Sequence, residues 1–352
     1  GIVLLKNEGD ILPVPEGKKI AVVGRYADKR NTGDHGSSNV FSPYAVTPYE
    51  GLCNRFGKNN IYLYNGCKCD DAMKTAEKCD YIVVCVGSDW LQEGEFLVNL
   101  GNVKKKPKGS GGDRANLNVP PEDVKLIKAM SSLGKKLVVN IMGGSAYIIK
   151  EWIDSAEAVV MSFYSGLEGG NALADILSGD VTPAGKLPFT IAYNSDDYPP
   201  FLHLGAKCKD IEYGYYHGYT LFDKSGKTPH FPFGFGLSYT EFEYSDISLL
   251  NDGNKIEVSL NVKNIGDFDG DEIIQLYIGS NSADADRPVK LLKGFRRVSI
   301  NKGESVRVAV SAEVDDIRFY NPEIGDWELD KSYTVYIGKD SRNIIEAGKI
   351  SF

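Results

Sequence analysis

Short runs of apolar residues alternate with helix-like segments between Lys19 and about Thr190. Between two of these runs, apolar positions recur near helical spacing after Pro120 and Pro121, which can open a helix but cannot continue one. Continuous apolar strands separated by helices indicate a parallel sheet covered on both faces. The first part of the chain is therefore predicted to be an α/β three-layer sandwich, with its clearest strands at 20–23, 81–86, 137–141 and 158–163.

The hydrophobic period changes to two after about residue 243. Apolar residues at 256, 258, 260 and 262 alternate with polar ones, and short runs follow at 273–278, 306–310 and 333–337. Several short strands without intervening helices indicate an all-β sandwich. The predicted domains are thus residues 1–200 and 243–352, joined by a segment at 201–242 that is rich in proline, glycine and aromatic residues. The first seven residues resemble the end of a helix.

Composition and charge exclude several classes of function. The 352 residues favour two domains, and a net charge of −8 argues against a nucleic-acid partner. No apolar run approaches the roughly 20 residues of a membrane-spanning helix. No Asn-x-Ser/Thr acceptor for glycosylation occurs in the sequence, so a cytoplasmic protein is expected. The six cysteines lack the paired spacing of a zinc site and are expected to be free thiols.

The glycine-rich turns do not fit a nucleotide site. Gly24-Arg25-Tyr26 follows the first predicted strand without G-x-G-x-x-G, and five residues separate Gly179 from Gly185-Lys186 where a P-loop needs four. No cofactor is therefore expected. The histidines have no helical i, i+4 pairing for a metal, but His35 lies in a polar glycine-rich loop where it contacts a ligand or simply completes a turn.

The loop after the predicted strand 81–86 concentrates negative charge. Asp89, Glu93 and Glu95 lie within seven residues of one another, at the carboxyl end of a parallel strand. Open α/β sheets bind their ligands at such strand ends. Taken alone, the loop is equally consistent with a solvated surface turn.

Several segments together resemble glycoside hydrolase family 3. They are Gly1–Glu8, Ile20–Gly24, Gly166–Asp175, Gly185–Pro188, Phe231–Thr240 and Arg287–Phe295. The resemblance implies the αβα sandwich domain of that family followed by its fibronectin type III-like domain. It also implies an exo-acting glycosidase that retains anomeric configuration through two carboxylates. In the family the nucleophilic Asp comes from a TIM barrel, which these residues do not include, and the acid/base Glu comes from the αβα domain.

The family places its acid/base Glu in a Glu-Gly pair before an Asp-Arg pair. Glu93-Gly94 with Asp113-Arg114 downstream matches that arrangement, so Glu93 is the expected general acid/base. The loop from Glu95 to Gly111 is long, and Glu95 is the rival candidate because it is a second Glu two residues after the first. Trp90 and His35 are candidate substrate contacts. Ser88-Asp89-Trp90 mimics the nucleophile tripeptide of the family. We interpret this as coincidence, because a nucleophile so near the acid in sequence could hardly reach the opposite face of the sugar.

The resemblance implies a β-glucosidase or related enzyme that hydrolyses β-linked oligosaccharides or aryl glycosides, completed by a TIM barrel on another chain or segment. A different class of function remains open, namely a non-catalytic carbohydrate-binding or scaffolding module that kept the fold. A flavodoxin-like nucleotide binder is disfavoured by the glycine spacings above.

Overall fold

The computed structural model describes residues 1–33, 40–93, 114, 116–199, 214–282 and 286–352. These residues form two compact units. Unit 1 comes mainly from Gly1–Gly185 and unit 2 mainly from Glu212–Phe352. Residues 214–242, at the end of the predicted connecting segment, belong to unit 2. Among the helices described, none has the length and apolar character needed to cross a membrane.

A six-stranded sheet with the order β1-β6-β5-β4-β2-β3 forms the centre of unit 1. β2 to β6 are parallel, as the apolar runs predicted, and β2, β4 and β6 are buried along their whole length. Such complete burial requires helices on both faces. The strands are β1 (Val3–Asn7), β2 (Ile20–Val23), β3 (Ile61–Tyr64), β4 (Tyr81–Gly87), β5 (Lys136–Met142) and β6 (Ala158–Met161).

The prediction that the chain starts with the end of a helix is wrong. Val3–Asn7 is an edge strand that pairs antiparallel with β6, with Val3 opposite Met161 and Asn7 opposite Ala158. Val3, Leu4 and Leu5 are 0–2% exposed. An apolar run this short has no period that distinguishes helix from strand, and the open edge of β6 decides the outcome.

Helices cover the sheet of unit 1: α1 (Pro48–Phe56), α2 (Cys69–Ala76), α3 (Trp90–Glu93), α4 (Pro121–Ser131) and α5 (Gly169–Ser178). Thr47 and Glu50 cap α1 reciprocally, each side chain accepting a hydrogen bond from the backbone N–H of the other. α1 and α5 approach closely at Gly51, where an added Cβ would lie 2.0 Å from the carbonyl oxygen of Gly170. α4 begins at Pro121, as the proline pair predicted.

Unit 2 is built from antiparallel strands after the helix α6 (Gly218–Ser225). One sheet has the order β10-β9-β14-β15, a second has β11-β8-β7, and β12 and β13 form a two-stranded hairpin. Inward-facing apolar residues such as Ile256, Val258, Leu276 and Val335 form one core. The strands are β7 (Phe242–Asn251), β8 (Lys255–Asn264), β9 (Gly270–Ser280), β10 (Leu291–Ile300), β11 (Ser305–Glu313), β12 (Phe319–Asn321), β13 (Asp326–Glu328), β14 (Ser332–Gly338) and β15 (Ile344–Ser351).

Candidate active site

The carboxyl ends of β4, β5 and β6 lie side by side at one edge of the unit 1 sheet. β4 pairs with β5 up to Gly87 and Met142, and β5 pairs with β6 up to Ile141 and Met161. The segments that leave these three ends carry the side chains described below. This edge is the place where parallel α/β sheets bind ligands.

The chain turns away from the sheet at Gly87, the last residue of β4. Its φ is +127°, and a Cβ at this position would lie 1.8 Å from the carbonyl oxygen of Met142. Only glycine fits so close to β5. Ser88 N then donates a hydrogen bond to that same Met142 oxygen at 2.9 Å. The turn is therefore anchored on the neighbouring strand before α3 begins.

Asp89 caps α3 from within the turn. Its Oδ1 accepts a hydrogen bond from Leu91 N at 2.9 Å, and its carbonyl oxygen accepts from Glu93 N at 3.0 Å. Its Oδ2 pairs with Lys29, and the residue is only 3% exposed. These contacts give Asp89 a structural role that fixes the end of α3, where Glu93 lies.

Three groups from distant parts of the chain hold the carboxylate of Glu93. Gly144 N donates to Oε2 at 2.8 Å, and the Tyr164 hydroxyl donates to the same oxygen at 2.5 Å. Arg114 Nε lies 3.0 Å from Oε1, and the Glu93 side chain is 12% exposed. The Arg114 contact is not an aligned hydrogen bond, since Oε1 accepts none from the residues that the structure describes. Oε2 of Glu93 is thus anchored by two hydrogen bonds, while Oε1 is buried beside Arg114.

Arg114 is itself fixed by the segment after β5. Its guanidinium donates to the Ala146 carbonyl oxygen at 2.7 Å and to the Ser145 hydroxyl. It also lies 4.1 Å from the centre of the Tyr147 ring.

Burial raises the pKa of Tyr147, and Arg114 opposes that shift. Burial also raises the pKa of Tyr164, and its hydrogen bond to Glu93 raises it further. Both phenols therefore stay protonated at neutral pH.

The structure places only some of the predicted site residues. Glu93 and Arg114, 21 positions apart in sequence, are brought together. Trp90 lies in α3 and is partly buried. Glu95 and His35 lie outside the described residues, so the choice between Glu93 and Glu95 remains a prediction.

Gly144 and Tyr164 are site residues that no pattern in the sequence predicted. Both lie just beyond the carboxyl ends of β5 and β6, and the rule that drew attention to the loop after β4 applies equally to these neighbours. Within the described ranges, no group of three or more His, Cys, Asp or Glu side chains is placed to hold a metal ion.

Comparisons with known proteins match nearly the whole chain. Residues 2–239 match the family model described as "Glycosyl hydrolase family 3 C-terminal domain", and residues 272–341 match "Fibronectin type III-like domain". These matches confirm the predicted fold class, an α/β sandwich followed by an all-β domain.

Similar curated proteins include a thermostable beta-glucosidase B from Acetivibrio thermocellus, 34% identical over 98% of this chain, and a beta-glucosidase from Bacteroides ovatus, 33% identical over all of it. This chain covers 46% and 50% of those two proteins, which is about half of their length. Among solved structures, a beta-D-glucoside glucohydrolase from Trichoderma reesei superposes with a TM-score of 0.87 at 28% identity. That match covers 99% of this chain and 54% of the other.

Proposed function

Because the chain belongs to glycosyl hydrolase family 3, we propose that it supplies the general acid/base of a retaining, exo-acting β-glucosidase. The observation that supports this proposal is the carboxylate of Glu93, held by Arg114, Gly144 and Tyr164 at the ligand-binding edge of a parallel sheet. The substrates are terminal, non-reducing β-D-glucosyl residues of oligosaccharides or aryl glycosides. A TIM barrel on another chain or segment supplies the nucleophilic Asp.

Retention of anomeric configuration requires one carboxylate to act as nucleophile and the other as general acid/base. The nucleophile attacks the anomeric carbon while Glu93, in its protonated form, gives a proton to the oxygen of the leaving group. The resulting glycosyl-enzyme ester is then attacked by water, from which Glu93 as carboxylate removes a proton. This mechanism needs the two carboxyl groups about 5–5.5 Å apart. Within this chain, Gly144 and Tyr164 act by orienting Glu93 toward the glycosidic oxygen.

The division of labour can be tested by trapping the glycosyl-enzyme. An activated 2-deoxy-2-fluoro-β-glucoside should label the complete enzyme covalently, because the fluorine slows both formation and hydrolysis of the ester while the activated leaving group accelerates its formation alone. Peptide mass spectrometry should find the label outside residues 1–352, and the 352-residue chain alone should take up none. A label on the peptide that contains Asp89 would show that Ser88-Asp89-Trp90 is the nucleophile after all.

Tyr164→Phe should reduce kcat of the complete enzyme by about tenfold, the cost of one hydrogen bond to a charged group. The loss should be larger for glycosides with poor leaving groups than for activated aryl glycosides, since only the former need a well-aimed proton donor. Tyr147→Phe is the matched control, because that hydroxyl donates to the Met142 carbonyl oxygen and not to Glu93. Equal losses on both kinds of substrate would mean that Tyr164 does not position the proton donor.

A further inference from the structure

Two large aromatic side chains are exposed on the hairpin of unit 2. Tyr320 in β12 and Trp327 in β13 lie opposite each other, and they are 51% and 58% exposed. Their rings are 5.8 Å apart at an interplanar angle of 69°. A Trp and a Tyr together at one exposed site indicate a contact surface, whereas single exposed apolar residues are ordinary.

The hairpin borders a groove of about 520 Å³ that lies entirely within unit 2. This volume falls in the range of about 300–1,000 Å³ found for small-ligand sites. Besides the two exposed rings, the groove is lined by Phe319, Arg287, Lys293 and Asp330. It therefore combines aromatic faces with charged groups that can exchange hydrogen bonds.

The polar groups of the groove are held in place by the fold. The Arg287 guanidinium lies 3.4 Å from the centre of the Phe319 ring, and its Nε lies 3.4 Å from Asp330 Oδ2. Arg287 Nε is buried beside Asp330, so a ligand reaches Arg287 through the other, exposed atoms of its side chain. The Asp330 side chain is 10% exposed and that of Arg287 is 25% exposed. A ligand with hydroxyl groups would find a fixed donor and a fixed acceptor here.

We propose that this groove of unit 2 binds a pyranose unit of a β-linked glycan as a second sugar site. A pyranose has a face of C–H groups that stacks on Trp and Tyr rings and a rim of hydroxyls that reaches Arg287 and Asp330. A nucleic-acid base would also stack, but the net charge of −8 opposes a phosphate backbone. The preference for β-linked chains rests on the proposed function, whereas the groove itself does not.

Isothermal titration of the 352-residue chain with cellotetraose should show saturable binding, and Trp327→Ala should weaken it by about tenfold, the loss expected for one stacked ring. Trp327→Phe should retain part of the affinity. Phe295→Ala is the matched control, because Phe295 is 69% exposed on β10 but does not line the groove. Cellotetraose should also protect Trp327 fluorescence from acrylamide, while Trp152, which is 1% exposed, serves as the internal reference.

The proposal is overturned if millimolar cellotetraose gives neither heat nor protection, or if Phe295→Ala weakens binding as much as Trp327→Ala. It is also overturned if a proline-rich peptide, or the barrel segment in the complete enzyme, protects Trp327 and the glycan does not. Binding is measured here on a chain expected to have no turnover. A negative binding result therefore says nothing against the role of Glu93. A negative result of the Glu93 experiment likewise says nothing against the sugar site in unit 2.

Discussion

Replacement of Glu93 by alanine in the complete enzyme is expected to slow the hydrolysis of glycosides with poor leaving groups by about two to four orders of magnitude. An alkoxide leaving group must be protonated as the glycosidic bond breaks, and the variant has no carboxyl group to do so. Activated aryl glycosides leave without this help, so formation of the glycosyl-enzyme should survive. Stopped-flow measurement should then show a burst of phenolate followed by slow turnover, because removal of the glycosyl group still needs a base.

Azide separates the role of a base from a general structural effect. It attacks the glycosyl-enzyme without losing a proton, so it should restore the turnover of Glu93→Ala on activated substrates and yield a β-glycosyl azide. Arg114, Gly144 and Tyr164 remain in place around the vacated carboxyl position, which gives the small anion room to enter. Wild-type enzyme should gain no rate from azide.

Glu95→Ala is the matched control, because it removes the same side chain two positions away. It should cause a milder loss without azide rescue. If rescue occurs with Glu95→Ala and Glu93→Ala behaves like the wild type, the acid/base has been assigned two residues too early. If neither variant loses activity, the proton donor lies elsewhere and the proposed role of this chain fails. A complete enzyme without glycosidase activity would favour the non-catalytic module instead.

The sequence alone predicted features that depend on local patterns. The parallel strands of unit 1 were visible because β4 and β5 are nearly continuous apolar runs, and the β-domain because β8 alternates strictly. Glu93 was found because it follows a buried strand and matches a family motif. The contact from Tyr164 to Glu93 spans 71 positions, and no local period reports a contact of that range.

The misassigned start of the chain has a related cause. Five residues of β1 carry too short a pattern, and their conformation is decided by the open edge of β6 about 150 positions later. The helix α6 could not be predicted for another reason. It begins at Gly218 and is followed by Gly226, and polar or aromatic residues make up most of it, so no helical apolar pattern is visible. The conformations of β1 and α6 depend on tertiary pairing and packing, which the pattern of a single sequence does not report.

A buried ion pair holds the turn that leads to Glu93. Asp123, in the first turn of α4, is fully buried and accepts hydrogen bonds from Arg25 Nε at 3.2 Å and Nη2 at 2.9 Å. Its Oδ2 also accepts from Gly87 N at 3.3 Å, while Arg25 Nη2 donates to the Gly87 carbonyl oxygen at 3.4 Å. Asp123 therefore binds the backbone N–H of Gly87 and Arg25 binds its carbonyl oxygen, which fixes the residue at which the chain leaves β4.

Asp123→Ala is expected to lower the free energy of unfolding of unit 1 by about 3 kcal/mol, since removal of one partner leaves the other charge uncompensated. We expect the lower end of the usual range because the Arg25 side chain is 26% exposed and water can reach it. Urea unfolding should be followed by the fluorescence of Trp90 and Trp152, with Trp327 replaced by Phe so that the signal comes from unit 1 alone.

Glu122→Ala is the matched control for Asp123→Ala. Glu122 is the neighbouring residue and pairs with the same arginine at 3.3 Å, but its side chain is 50% exposed. Its loss should cost less than about 1 kcal/mol. Arg25→Met combined with Asp123→Leu should recover part of the stability lost in Asp123→Ala, because both buried charges are removed together. If Asp123→Ala and Glu122→Ala cost the same, burial does not distinguish the two pairs. The buried pair would then contribute no more to the turn before Glu93 than the exposed pair does.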